Sequence, residues 1–155
     1  ISHPSKEAIR QMIELSKAPV IASHSSARTL RDHSRNLDDE QLEWVKQNGG
    51  VIQTVALGNY LTDRKDPPPN IEDFIDHIDY MVDKIGIDHV GISSDFDGGG
   101  GIEGWKDASE TKNVTSALRN RGYSDGEIAK IWGGNLMRVL DEVQNIAEQM
   151  QKGEL

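Results

Sequence analysis

At 155 residues the chain is long enough for one domain with a real core and too short for two. Its formal charge of −9, from 26 acidic against 17 basic residues, argues against nucleic acid or an anionic membrane surface as a partner, because both would be repelled. It has no cysteine, which removes disulfides and thiolate sites, so any metal must be held by His, Asp or Glu.

No apolar stretch approaches the roughly 18 residues of a membrane span, and no signal peptide is visible. The compartment stays open, a soluble cytoplasmic chain being the expectation. The sequence starts at Ile1 rather than Met, and "ISHPS" already reads as the end of one element and the start of another. The expectation is that the beginning of the domain precedes these residues.

From Pro4 to Ser16 the chain places Ala8, Ile9, Met12 and Ile13 on one stripe, which predicts an amphipathic helix. Val20 and Ile21 follow as a short strand without polar alternation, as expected of a parallel strand covered on both faces. Leu37 to Gln47 predicts a second helix with Leu42 and Val45 inward, stopped at Asn48 and Gly49, and Val51 to Leu57 a second strand. Beyond the prolines at 67 to 69, Ile71, Phe74, Ile75, Ile78, Met81, Val82 and Ile85 keep helical spacing. His89 to Ser93 reads as a third strand, and Lys112 to Asn120 as a helix. "SDGE" (Ser124 to Glu127) is a capping-box start, and a final helix turns Leu136, Val139, Leu140, Val143, Ile146 and Met150 inward.

Helices alternating with strands imply an α/β protein with a parallel sheet. Only three strands are present, whereas a full (β/α)8 barrel takes about 250 residues. The pattern therefore fits the closing part of such a TIM-like barrel, with a small open α/β sheet as the alternative.

In either fold, ligands gather where parallel strands end. Polar residues follow each apolar run: Ser2 and His3, Ser23 and His24, Asn59 and Tyr60, Asp95 and Asp97. Two neutral imidazoles reaching one point from adjacent strands suit zinc or a similar metal, and Asp95 can hold a second ion or manage a proton on bound water. His77, on the polar side of the long helix, and His89, at a strand entrance, read as structural. His33 shares a loop with Arg35 and is ambiguous. The serines at 23, 25 and 26 lack a nucleophile-elbow motif, and Gly98 to Gly101 lack a following lysine, so the glycines read as a flexible loop.

Taken together, "APVIASHSSAR", "RDHSRN", "VGISSDFDGGGG" and "IWGGNLMRVL" resemble the C-terminal part of the membrane (renal) dipeptidase family, in order and correctly spaced over essentially the whole chain. The resemblance implies a metal-dependent hydrolase: a distorted (β/α)8 barrel holding two zinc ions, bridged by a glutamate and a water, that cleaves dipeptides and often tolerates a D-residue at the carboxyl end. By the same resemblance His3 and His24 match ligands of the second zinc, and Arg35 matches the arginine that pairs with the substrate carboxylate. Tyr60 matches a pocket tyrosine, and Asp95 the acidic residue beside the bridging water.

The family's other ligands, an N-terminal His-x-Asp pair and the bridging glutamate, together with a substrate-facing histidine, are expected from strands before His3. No segment here is expected to offer a His-x-Asp triplet in their place, "DHS" and "DHI" having the order reversed. Residues 1–155 are thus expected to be the C-terminal portion of one barrel domain, inactive alone, with zinc as cofactor and a dipeptide as substrate. Its open edges would call for the missing N-terminal half, a partner chain or a homodimer. The rival readings are a non-catalytic barrel segment or binding module, and a phosphate-ligand barrel using the glycine loop.

Overall fold

The computed structural model describes residues 1–154. Its element order is α1 (Lys6–Leu15), β1 (Ile21–Ala22), α2 (Asp39–Gln47), β2 (Val51–Val55), α3 (Gly58–Leu61), α4 (Ile71–Ile85), β3 (Val90–Ser93), α5 (Thr111–Asn120), α6 (Asp125–Ala129) and α7 (Asn135–Lys152). The three strands form one parallel sheet in the order β1-β2-β3, so each crossover returns to the neighbouring position. Ile21 pairs with Val51, and β2 pairs with β3 from Ile52 with Val90 to Val55 with Ser93. A sequential parallel order of this kind is what a barrel sector requires.

Local chemistry sets the helix starts. Ser5 caps α1 by accepting from the Ala8 N–H, which leaves Pro4 just outside the helix. Asp38 with Gln41, Asn70 with Asp73 and Ser124 with Glu127 form reciprocal capping boxes at α2, α4 and α6. Leu37, expected inside the second helix, instead bridges to Ala27 and is buried, because Asp38 takes the cap.

The core lies between the sheet and α4. Phe74, Ile75, Ile78, Met81 and Ile85 are all buried against Leu42, Val45, Ile52 and Val90, each worth about 2 kcal/mol relative to exposure. At the amino ends of the strands, α6 runs through a π-helical turn (Lys130–Gly134) into α7. Asn135 there donates from its amide nitrogen to the carbonyls of Ile87 (2.7 Å) and Val90 (2.8 Å).

Four further expectations change. The second strand stops at Val55, and the chain turns into α3, which carries Tyr60. The stripe on α1 is only partly covered, with Ile9 buried and Met12 exposed. On α7, Val139 is buried and Leu136 and Ile146 are half-buried, but Leu140, Val143 and Met150 face solvent because nothing among the described residues packs over them. His77 does not lie on a polar face: it is 1% exposed, since α4 is covered on that side by the loop after β1 and by α3.

Candidate metal and substrate site

The register of the sheet brings its carboxyl ends to one side of the molecule. The amino group of Ile1 donates to the Ile21 carbonyl at 2.7 Å, which lays residues 1–3 beside β1. Ser2 then serves as a brace: its Oγ accepts from the His24 backbone N–H at 2.9 Å. The two imidazoles consequently meet, with His3 Nε2 and His24 Nε2 2.9 Å apart and the ring centroids at 4.9 Å.

The pairing is satisfied when His24 carries its proton on Nδ1, donating to Ser23 Oγ at 2.8 Å, and presents the Nε2 lone pair to its neighbours. That tautomer is the ligating one, and a hydroxyl behind the other ring nitrogen is the usual way of orienting a metal-bound histidine. Burial pushes the His24 pKa below its ordinary value, with Asp95 pulling it upward and Arg35 and His3 lowering it further. Depression favours the neutral form that a metal needs. Two nitrogens bound at about 2.0 Å around a tetrahedral ion lie about 3.3 Å from one another, so a small separation of the rings would admit a cation. Two donors are nonetheless half of a zinc shell. Among the described residues no three His, Asp or Glu side chains converge closely enough to hold an ion alone.

Arg35 closes over the pair. Its Nε donates to the Ser2 carbonyl at 3.0 Å and one Nη to His24 Nε2 at 3.1 Å, while the guanidinium lies over the Tyr60 ring at 5.7 Å. Its backbone N–H donates to His33 Nδ1, and the His33 ring stacks on Tyr60 with centroids 4.4 Å apart. His33 is thus a support for Arg35 and Tyr60, which resolves the ambiguity of its loop position. Burial, aided by Arg31, Arg35 and Arg28, lowers its pKa and keeps it an acceptor.

Asp95 follows β3 in a left-handed conformation (φ 52°) rare for residues with a side chain and tolerated by Asp. The glycine run explains how it stays there. The N–H groups of Gly98 and Gly100 both donate to the Asp95 carbonyl, at 2.9 and 2.8 Å. A Cβ at Gly98 would stand 2.5 Å from an Asp95 carboxylate oxygen, and one at Gly100 2.0 Å from the Ser94 carbonyl oxygen. The run is a close wrap around Asp95 rather than the flexible loop its composition suggests. Asp95 is near enough to act electrostatically on His24, but it does not join the histidines in a ligand cluster. Asp97 is exposed.

The expectation that no His-x-Asp triplet occurs is corrected by His77, Ile78 and Asp79, which spell one within α4. Residues two apart on a helix point to different sides. Here His77 binds backbone in the core while Asp79 accepts from Tyr123 and Arg121 at the surface, so the triplet is no metal pair. The roles of Ser2 and Asn36 leave no local signature, because Ser2 accepts from the His24 N–H and Asn36 donates to the Tyr60 carbonyl, both distant in sequence, and His33 gives none because its ring partner, Tyr60, is equally remote.

The family model for membrane dipeptidase (peptidase family M19) matches residues 1–154. Dipeptidase tcpJ of Claviceps purpurea is 40% identical over 154 residues, 99% of this chain and 36% of that protein. Among solved structures, the probable dipeptidase PvdM from Pseudomonas aeruginosa superposes with a TM-score of 0.89 at 39% identity, over 94% of this chain and 50% of its own. A metallo peptidase from Rhodobacter sphaeroides, liganded with a phosphinate mimic of the dipeptide L-Ala-D-Ala, gives 0.82 at 30% identity, over 91% of this chain and 41% of its own. The chain therefore spans half or less of each of these relatives.

Proposed function

Because the chain belongs to the membrane dipeptidase family, peptidase family M19, we propose that it contributes one metal position and the substrate-carboxylate position of a dipeptide hydrolase. The observation that carries the reading is the facing pair His3 and His24 with Arg35 donating into it. In this reading residues 1–155 are the C-terminal part of a (β/α)8 barrel, and the remaining metal ligands come from strands outside them. The chain by itself then turns over no dipeptide.

His3 and His24 would hold one of two zinc ions through their imidazoles, and Ser23 keeps His24 in the ligating tautomer. A zinc pair, when bound, polarises the scissile carbonyl and acidifies the attacking water. Arg35 exchanges its bonds to His24 and Ser2 for a bidentate grip on the free carboxylate of the substrate, the feature that separates a dipeptide from the interior of a longer chain. Tyr60, already stacked beside the guanidinium, lines the pocket for the adjacent side chain. The Asp95 carboxylate takes a proton from the attacking water and passes it to the leaving amine nitrogen.

The test is hydrolysis of a simple dipeptide by the full gene product. Activity abolished by a chelator and restored by zinc, with close to two metals per chain by elemental analysis, is the expected result. No hydrolysis and no bound metal would overturn the proposal in favour of a non-catalytic binding module.

A further inference from the structure

His77 is used by none of these steps, yet it is a nearly fully buried imidazole on α4 with both ring nitrogens engaged. The Ala27 N–H donates to Nδ1 at 3.1 Å, which leaves the proton on Nε2 to be donated to the Leu61 carbonyl at 3.0 Å. Ala27 lies in the loop that runs from His24 to Arg35, and Leu61 is the residue after Tyr60. One side chain from the core thus clamps the two segments that bring the guanidinium and the phenol together. Asn36 makes a second tie across the same gap: its Oδ1 accepts from the Ser26 N–H and its amide nitrogen donates to the Tyr60 carbonyl at 2.7 Å.

We propose that His77 is a positioning residue for substrate binding, a neutral two-ended clamp that sets Arg35 against Tyr60 without touching substrate. The inference rests on the dipeptidase reading above. Its position in the core fits no ligand role, since neither nitrogen has a free lone pair, and the burial that depresses its pKa keeps the clamp uncharged. A charged imidazole would present a second N–H to the Ala27 N–H and break that contact.

Two near-isosteric variants of the full gene product separate the two ends. In His77→Asn the oxygen replaces Nδ1 and keeps the Ala27 bond. In His77→Gln the amide nitrogen replaces Nε2 and keeps the Leu61 bond. Each is expected to raise KM for a free dipeptide about tenfold, the loss of one positioning hydrogen bond, with kcat nearly unchanged. Neither should raise KM for the same dipeptide with an amidated carboxyl end, which makes no use of the Arg35 fork. Hydrogen exchange at the Ala27 amide should accelerate in His77→Gln and not in His77→Asn. Nitrogen chemical shifts of His77 in the unsubstituted protein should report a bare Nδ1 and a protonated Nε2, a check that requires no variant. The inference is overturned by KM values within twofold of wild type, by equal losses on free and amidated substrates, or by the opposite tautomer. If the unsubstituted protein cleaves no dipeptide under any metal, the functional reading fails and this inference with it. The exchange data identify that case, because the clamp then persists without an activity to position.

Discussion

Residues 23–38, between β1 and α2, have only Ala27, Leu30 and Leu37 as aliphatic side chains, yet Ser25, Ser26 and Asn36 within them are fully buried. By contrast α7 is a regular helix of 18 residues whose apolar stripe stands partly in water, Leu140 being 45% exposed and Met150 52%. In the loop, order comes from polar groups bonded at long sequence separation, the Ser25 N–H to the Gln53 carbonyl, the Ser26 hydroxyl to the Val55 carbonyl and Asn36 to the Ser26 N–H and the Tyr60 carbonyl. In α7, order comes from its own hydrogen bonds, and the stripe is free to meet another surface. A shallow groove of about 200 Å3 lies beside that stripe between Pro19 and Val143. A site that must hold two imidazoles, a guanidinium and a phenol in register belongs in the first kind of structure.

Substitutions at the polar end should therefore be costly and those on α7 cheap. The largest effect is expected from Asp95→Ala in the full gene product, a fall in kcat of about 10²- to 10⁴-fold, checked by dipeptide turnover. Near-normal turnover would remove Asp95 from the proton path. Asn36→Leu strands the Ser26 N–H and takes the donor from the Tyr60 carbonyl, and should cost about 3 kcal/mol in urea denaturation. Arg35→Lys loses the planar fork and should raise KM for free dipeptides about tenfold; unchanged KM would place the carboxylate elsewhere.

Proton linkage gives a smaller effect. His24, His33 and His77 all have folded pKa values below the ordinary 6.5, each chiefly through burial. The unfolded chain then binds more protons near and below that pH, so stability is fully present above it and falls as pH drops through the depressed folded values. Urea midpoints that stay level or rise between about pH 7 and about pH 5 would contradict this. The smallest effect belongs to α7, where Leu140→Gln should change the stability of these 155 residues by no more than about 0.5 kcal/mol.

What was legible in the sequence follows the same division. The i, i+3, i+4 spacing of Phe74, Ile75, Ile78 and Met81 announced α4, and Ser124 with Glu127 announced the start of α6, because both signals are local. Strand ends carrying His24 and Asp95 were legible because a short apolar run followed by polar residues marks them. His77 misled because a histidine among Asp76 and Asp79 reads as solvent-facing, and only the packing of α3 and the β1–α2 loop covers it. The stripe on α7 misled in the other direction: periodicity shows which residues share a face and not whether that face is covered. The tight wrap of Gly98 and Gly100 around Asp95 is likewise a property of approach distances, which composition does not carry.

Everything proposed for the site requires that the His3 and His24 imidazoles face a common cation. It is tested most directly by following the histidine side-chain nitrogen resonances of the full gene product as zinc is added to the metal-free protein. The Nε2 signals of His3 and His24 are expected to move together at the same zinc ratio, while those of His77 and His89 stay in place. Movement of only one of the pair, or of neither while zinc binds elsewhere, would contradict it.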